Sequence, residues 1–127
     1  MSQYFLSVWH APGVHAAGTA YESEEQMQAA FARVGEFNVA LVDSGAFVTA
    51  GGLTPPEEAV TVDATAASSA DEAAASGEVS GGTLAEGPML LGGYWVLEAE
   101  DDDAARVWAA RASYACGQRV ELRRLAG

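Results

Sequence analysis

The chain has 127 residues, half of them apolar, and a formal net charge of -12 from eighteen acids against six arginines and no lysine. That size fits one domain spanning residues 1–127 with a core of its own. The charge excludes nucleic acid and anionic membranes as partners, because both demand a basic patch, and the one cluster here is Arg119, Arg123 and Arg124.

No apolar run approaches the ~20 residues that cross a bilayer. Met1 to Trp9 has no basic leader and no small-residue cleavage site, so it reads as a first strand rather than a secretory signal. The single Cys116 excludes an internal disulfide and fits a reducing cytoplasm. Abundant Ala and Gly without Lys point to a GC-rich genome.

Residues 3–9 predict a strand with Tyr4, Leu6 and Val8 on one face and Phe5 and Trp9 on the other. Residues 10–22 read as a loop holding both histidines and a Pro12-Gly13 turn. Ser23 opens a helix, and Gln26 completes a capping-box pattern. Met27, Phe31, Val34, Phe37 and Leu41 recur at helical spacing and predict its buried stripe. Gly35 is expected to interrupt this helix and allow close packing, and Asp43-Ser44-Gly45 to end it.

Residues 46–50 predict a strand closed by Gly51-Gly52-Leu53, and Thr54-Pro55-Pro56 a break. Residues 58–65 alternate as a half-exposed strand. Residues 66–77 are small and polar, without a large apolar anchor, and read as a mobile hairpin tip or a short helical turn. Residues 78–84 return as a weak strand. Glu86-Gly87-Pro88-Met89 forms a turn before Leu91-Gly92-Gly93 and the strand Tyr94-Trp95-Val96-Leu97, apolar on both faces. Asp101-Asp102-Asp103 opens a second helix, since acids in a first turn cap free N–H groups and complement the dipole. Its expected stripe is Ala104, Val107, Trp108, Ala112 and Ala115, and Gly117 stops it. Residues 118–125 make the last strand.

The order β-α-β-(β-hairpin)-β-α-β predicts an α+β, ferredoxin-like split βαβ fold with an added hairpin. Both helices fall on one sheet face, leaving Phe5, Trp9 and one side of Tyr94–Leu97 uncovered. An apolar face of that size predicts a homodimer with two sheets facing each other.

Several short pieces resemble the YCII-related proteins, in particular the branch named for an Asp-Gly-Pro-Phe motif. They are Phe37-Asn38, Leu41, Gly45, Gly51-Gly52-Leu53 with Pro55, Glu86-Gly87-Pro88-Met89, Leu91-Gly92-Gly93-Tyr94, Ala109-Ala110-Arg111 and Val120-Glu121-Leu122-Arg123. The resemblance implies a dimeric α+β barrel. In some members it also implies enzymes built on a His–Asp pair, with the His near the start of the first helix. Here Gln26, Met27 and Gln28 occupy that region, Glu86 replaces the motif's Asp and Met89 its Phe, and residues 64–80 are longer than the usual hairpin.

Three residues are candidates for catalysis. His10, at a strand end, reads as a general base at the barrel mouth or as a polar strand-end residue. His15 closes over a pocket or is solvated. Glu86 acts on protons from a turn or hydrogen-bonds that turn's amides. Trp9, Phe5, Tyr94 and Trp95 are the candidate ligand-pocket residues, with core and interface as the alternative. No metal centre is expected, because there is no His-x-x-x-His spacing and no Cys pair. The glycine pairs lack a phosphate-loop Lys, and no cofactor is called for.

The reading that follows is a small dimeric protein that binds a small, partly apolar molecule or serves as an accessory. The alternative is a proton-transfer enzyme of lyase, isomerase or cyclase type, acting on a small aromatic or carbonyl compound through His10 and Glu86. A third is a structural partner of another protein through the acidic 66–78 segment.

Overall fold

The computed structural model describes residues 1–11, 23–85 and 87–127. It holds β1 (Ser2–His10), α1 (Glu24–Ser44), β2 (Phe47–Gly52), a 3-10 turn at Pro56–Glu58, β3 (Val60–Asp63), α2 (Ala70–Ser76), β4 (Glu78–Gly81), β5 (Leu90–Ala99), α3 (Asp102–Cys116) and β6 (Arg119–Arg124). The fold is α+β with antiparallel sheets.

Four strands form the main sheet in the order β2-β5-β1-β6. Because β5 is antiparallel to both β1 and β2, the β1-α1-β2 unit is split by β5. The β5-α3-β6 unit is split by β1 in the same way. β3 and β4 form a separate two-stranded ribbon, joined by α2. The small polar segment is therefore a short helix, capped by Ser69 and without a buried residue.

Strand alternation sorts side chains between two faces. Tyr4 and Leu6 pair with Leu97 and Trp95, and all four are buried beneath the helices. Phe5 and Ser7 pair with Val96 and Tyr94 on the opposite face. Leu6, Leu41 and Leu97 are fully buried, each contributing about 1.5–3 kcal/mol over an exposed position. Phe37 of α1 stands edge-on to Trp95 and Trp108, at 5.2 and 5.9 Å between ring centroids, which ties α1 to the sheet and to α3.

The caps follow the sequence. Ser23 Oγ accepts from Gln26 N at 3.1 Å, and Asp101 from Ala104 N at 2.8 Å. Gly45 and Gly117 end the two long helices with φ of 79° and 69°, a conformation that favours glycine. Arg33 Nε donates to Ala115 O near the end of α3, and its guanidinium lies over Tyr114.

Four expectations need correction. α1 runs unbroken through Gly35, and a Cβ there would meet nothing within 4 Å, so no neighbour packs on it. Phe31 is exposed, and Ala30 takes a buried place beside Phe37 and Leu41. On α3, Val107 is exposed, and Ala105, Ala109 and Cys116 join the buried side. β5 extends four residues before Tyr94 and two beyond Leu97. The buried side of α3 is made of small residues, which allow close approach to the sheet, whereas α1 buries Phe37 and Leu41 beside Ala30.

Candidate functional site

Four glycines stand at one end of the two neighbouring strands β2 and β5: Gly51, Gly52, Gly92 and Gly93. Ala50 pairs with Trp95, Gly51 with Tyr94 and Gly52 with Gly93. Trp95 faces the helices, so Gly52 and Gly93 fall on the helix face too, side by side and without side chains. The sheet is bare there, and α1 passes above it. The result is a cavity of about 360 Å³.

Phe31, Val34 and Asn38 of α1 roof the cavity. Val8, Ala50 and Trp95 wall it, and Cys116 of α3 closes one side. The walls are mainly apolar, and polarity is concentrated at Asn38. Its Oδ1 accepts the Trp95 indole N–H at 2.8 Å, which fixes both side chains. The Asn38 amide NH₂ remains as a donor for a guest. Burial pushes the Cys116 thiol above its ordinary range, so it is a weak nucleophile at neutral pH.

Close backbone approach shapes the same region. A Cβ on Gly93 would lie 3.0 Å from Gly51 O, and one on Gly51 3.0 Å from the Tyr94 ring. The Tyr94 ring therefore lies over Gly51 on the outer face, where it also stacks on Phe5 at 5.9 Å and 17°. A Cβ on Gly52 would meet nothing within 4 Å, because it would enter the cavity.

The outer face has a hollow of its own, about 560 Å³, between the ribbon and the sheet end. Trp9, Leu53, Val60, Val62 and Leu91 are among its lining. The β1–β5 register slips here, Val8 pairing with Gly93 and Trp9 with Leu91, so Gly92 is passed over. Trp9 Nε1 donates to Ser7 Oγ at 2.8 Å, which holds the indole on the outer face.

The predicted site residues thus divide. Trp95 and the Tyr94 segment border the inner cavity, Trp9 borders the outer hollow, and Phe5 borders neither and stacks on Tyr94. His10 is buried, with Nδ1 2.8 Å from Ala11 O, and lines neither cavity. His15 and Glu86 lie outside the described residues. Among the described residues no group of three His, Cys, Asp or Glu could hold a metal ion. No described helix is long and apolar enough to cross a membrane.

Asn38 and Cys116 are the site residues that sequence reasoning missed. Asn38 had a signal, a polar residue next to Phe37 on the buried side of a helix. Nothing in the sequence neighbours of Cys116 placed it beside the glycine pairs.

A search of curated proteins finds no match. The YCII-related domain matches residues 12–125, which takes in both long helices and five of the six strands. The chain belongs to the YCII-related family.

Proposed function

We propose that this protein binds a small, partly apolar molecule in the cavity beneath α1. The observation that carries the reading is the bare sheet at Gly52 and Gly93, roofed by Phe31 and Val34, with one fixed polar group at Asn38. Its volume of about 360 Å³ suits a ligand of one or two rings. An apolar body would fill the hollow, and a carbonyl or hydroxyl would take the Asn38 donor.

A second copy covers the outer sheet face, completing a dimeric α+β barrel. Phe5, Tyr94 and Val96 on that face are only half-buried within one copy, which favours a cover.

The ligand test is a thermal-shift screen of small aromatic and carbonyl compounds against the protein and its Gly52→Leu variant. A site ligand at one hundred times its Kd stabilises by about 2.7 kcal/mol, an upward shift of about 10 °C at this chain length. The shift should vanish in Gly52→Leu, whose side chain fills the cavity. Compounds that stabilise both proteins equally, or a library that stabilises neither, overturn the reading. For the dimer, a single-chain mass by light scattering at micromolar concentration removes it.

A further inference from the structure

The cavity beneath α1 meets Asn38 at one point, and the direction of that amide decides what it can hold. The oxygen and nitrogen ends of an amide have nearly the same shape, so a partner must tell them apart. Trp95 does so. An indole N–H only donates, and the Asn38 atom 2.8 Å from it is therefore the oxygen. The indole is itself held in place: Trp95 is buried, and Phe37 stands edge-on to it at 5.2 Å. A flipped amide would set N–H against N–H. The Nδ2 end thus points away from Trp95, and among the described residues nothing accepts from it.

The rest of the lining sorts guests by charge. Among the described residues, none that borders the cavity is Arg, His, Asp or Glu. A carboxylate would lose its water with no cation to meet, in a chain of net charge -12. An ammonium would face the N–H end of Asn38 and find no carboxylate. A pure hydrocarbon suits Val8, Val34 and Ala50 but leaves Nδ2 without a partner. A carbonyl group on an apolar body meets all three conditions: it is uncharged, it accepts, and it donates nothing.

We propose that the cavity selects uncharged carbonyl compounds, whose oxygen accepts from Asn38 Nδ2, with Trp95 as the positioning residue that fixes the direction of the amide. This rests on the ligand reading above and names the class of compound it takes.

The test is a heteronuclear NMR titration with three one-ring compounds. They are acetophenone, α-methylstyrene (in which CH₂ replaces the carbonyl oxygen) and benzoate. Acetophenone should bind about tenfold more tightly than α-methylstyrene and at least tenfold more tightly than benzoate. The Asn38 side-chain NH₂ signals should move with acetophenone and change little with α-methylstyrene. Asn38→Asp keeps an oxygen for Trp95 and removes the donor, so the two neutral compounds should come within about threefold of each other. Trp95→Phe frees the amide to turn and should shrink the same preference. Circular dichroism checks that both variants are folded. Gly52→Leu should abolish binding of every compound.

If acetophenone and α-methylstyrene bind equally, and both are lost in Gly52→Leu, selection by Asn38 is wrong and the cavity stands. Benzoate binding as tightly as acetophenone overturns the exclusion of charge. A preference that persists unchanged in Asn38→Asp places the donor elsewhere, and one unchanged in Trp95→Phe removes the positioning role. If nothing binds, or if Gly52→Leu binds as before, the ligand reading falls and this one with it.

Discussion

Adding one methyl group to either of two paired glycines should move stability in opposite directions. Gly52 and Gly93 sit opposite each other across β2 and β5. In Gly93→Ala the new Cβ lies 3.0 Å from Gly51 O, a backbone atom fixed by the sheet. Overpacking of this kind costs about 1–3 kcal/mol. Less conformational freedom in the unfolded chain returns about 0.4–1 kcal/mol. The net loss is about 1–2 kcal/mol, and with about 4 °C per kcal/mol for 127 residues Tm falls by about 4–8 °C. In Gly52→Ala the Cβ meets nothing within 4 Å, so only the gain remains and Tm rises by about 2–4 °C. Thermal denaturation followed by far-UV circular dichroism measures both. If the two variants shift Tm in the same direction, the close approach at Gly93 or the open space at Gly52 is misplaced, and the cavity argument fails with it.

Leu97→Ala removes a fully buried side chain from the central strand β5 and should cost about 2–5 kcal/mol, read from urea unfolding midpoints. Tyr4 donates to Asp102 Oδ1 at 2.6 Å, and that bond raises its phenol above the usual range. A raised folded value gives stability that is complete below the unfolded value near 10 and is lost as pH climbs through the folded one. Denaturant midpoints between pH 8 and 11.5 should therefore fall less steeply in Tyr4→Phe than in the unaltered protein; equal slopes would remove the linkage. Cys116, raised by burial, should be alkylated at pH 8 roughly tenfold or more slowly in the folded chain than in denaturant. A cavity ligand should slow that reaction further, while a bound compound that leaves the rate unchanged sits elsewhere.

The sequence made the architecture readable wherever a side chain had one dominant duty. Tyr4/Leu6 against Phe5, and Tyr94/Val96 against Trp95/Leu97, separate the sheet faces by period-two alternation alone. Ser23, Asp101, Gly45 and Gly117 mark helix ends because capping is local chemistry. The helix stripes were less legible. Phe31 and Val107 fit the helical period yet are exposed, while the neighbouring Ala30 and the nearby Ala105 are buried, because periodicity places a stripe only to within a residue or two and does not rank size. The candidate site was legible only in part. Glycine pairs at Gly51-Gly52 and Gly92-Gly93 announce close backbone approach. That they stand paired, 41 residues apart in the chain, is a matter of register, which local sequence does not carry.

The alternation of β5 assigns two jobs to one strand. Gly93 and Trp95 face α1, where one leaves the space and the other holds Asn38 across it. Tyr94 and Val96 face outward, where Tyr94 needs Gly51 bare in order to lie flat against the sheet. Each glycine on β2 therefore answers a different neighbour: Gly51 yields room outside and Gly52 yields room inside. A side chain at either one would fill a different space. This explains why two adjacent glycines are needed where one would terminate a strand. The guest and the second copy would meet opposite faces of the same backbone, with Gly51 and Tyr94 bordering the cavity while the Tyr94 ring stacks on Phe5 outside.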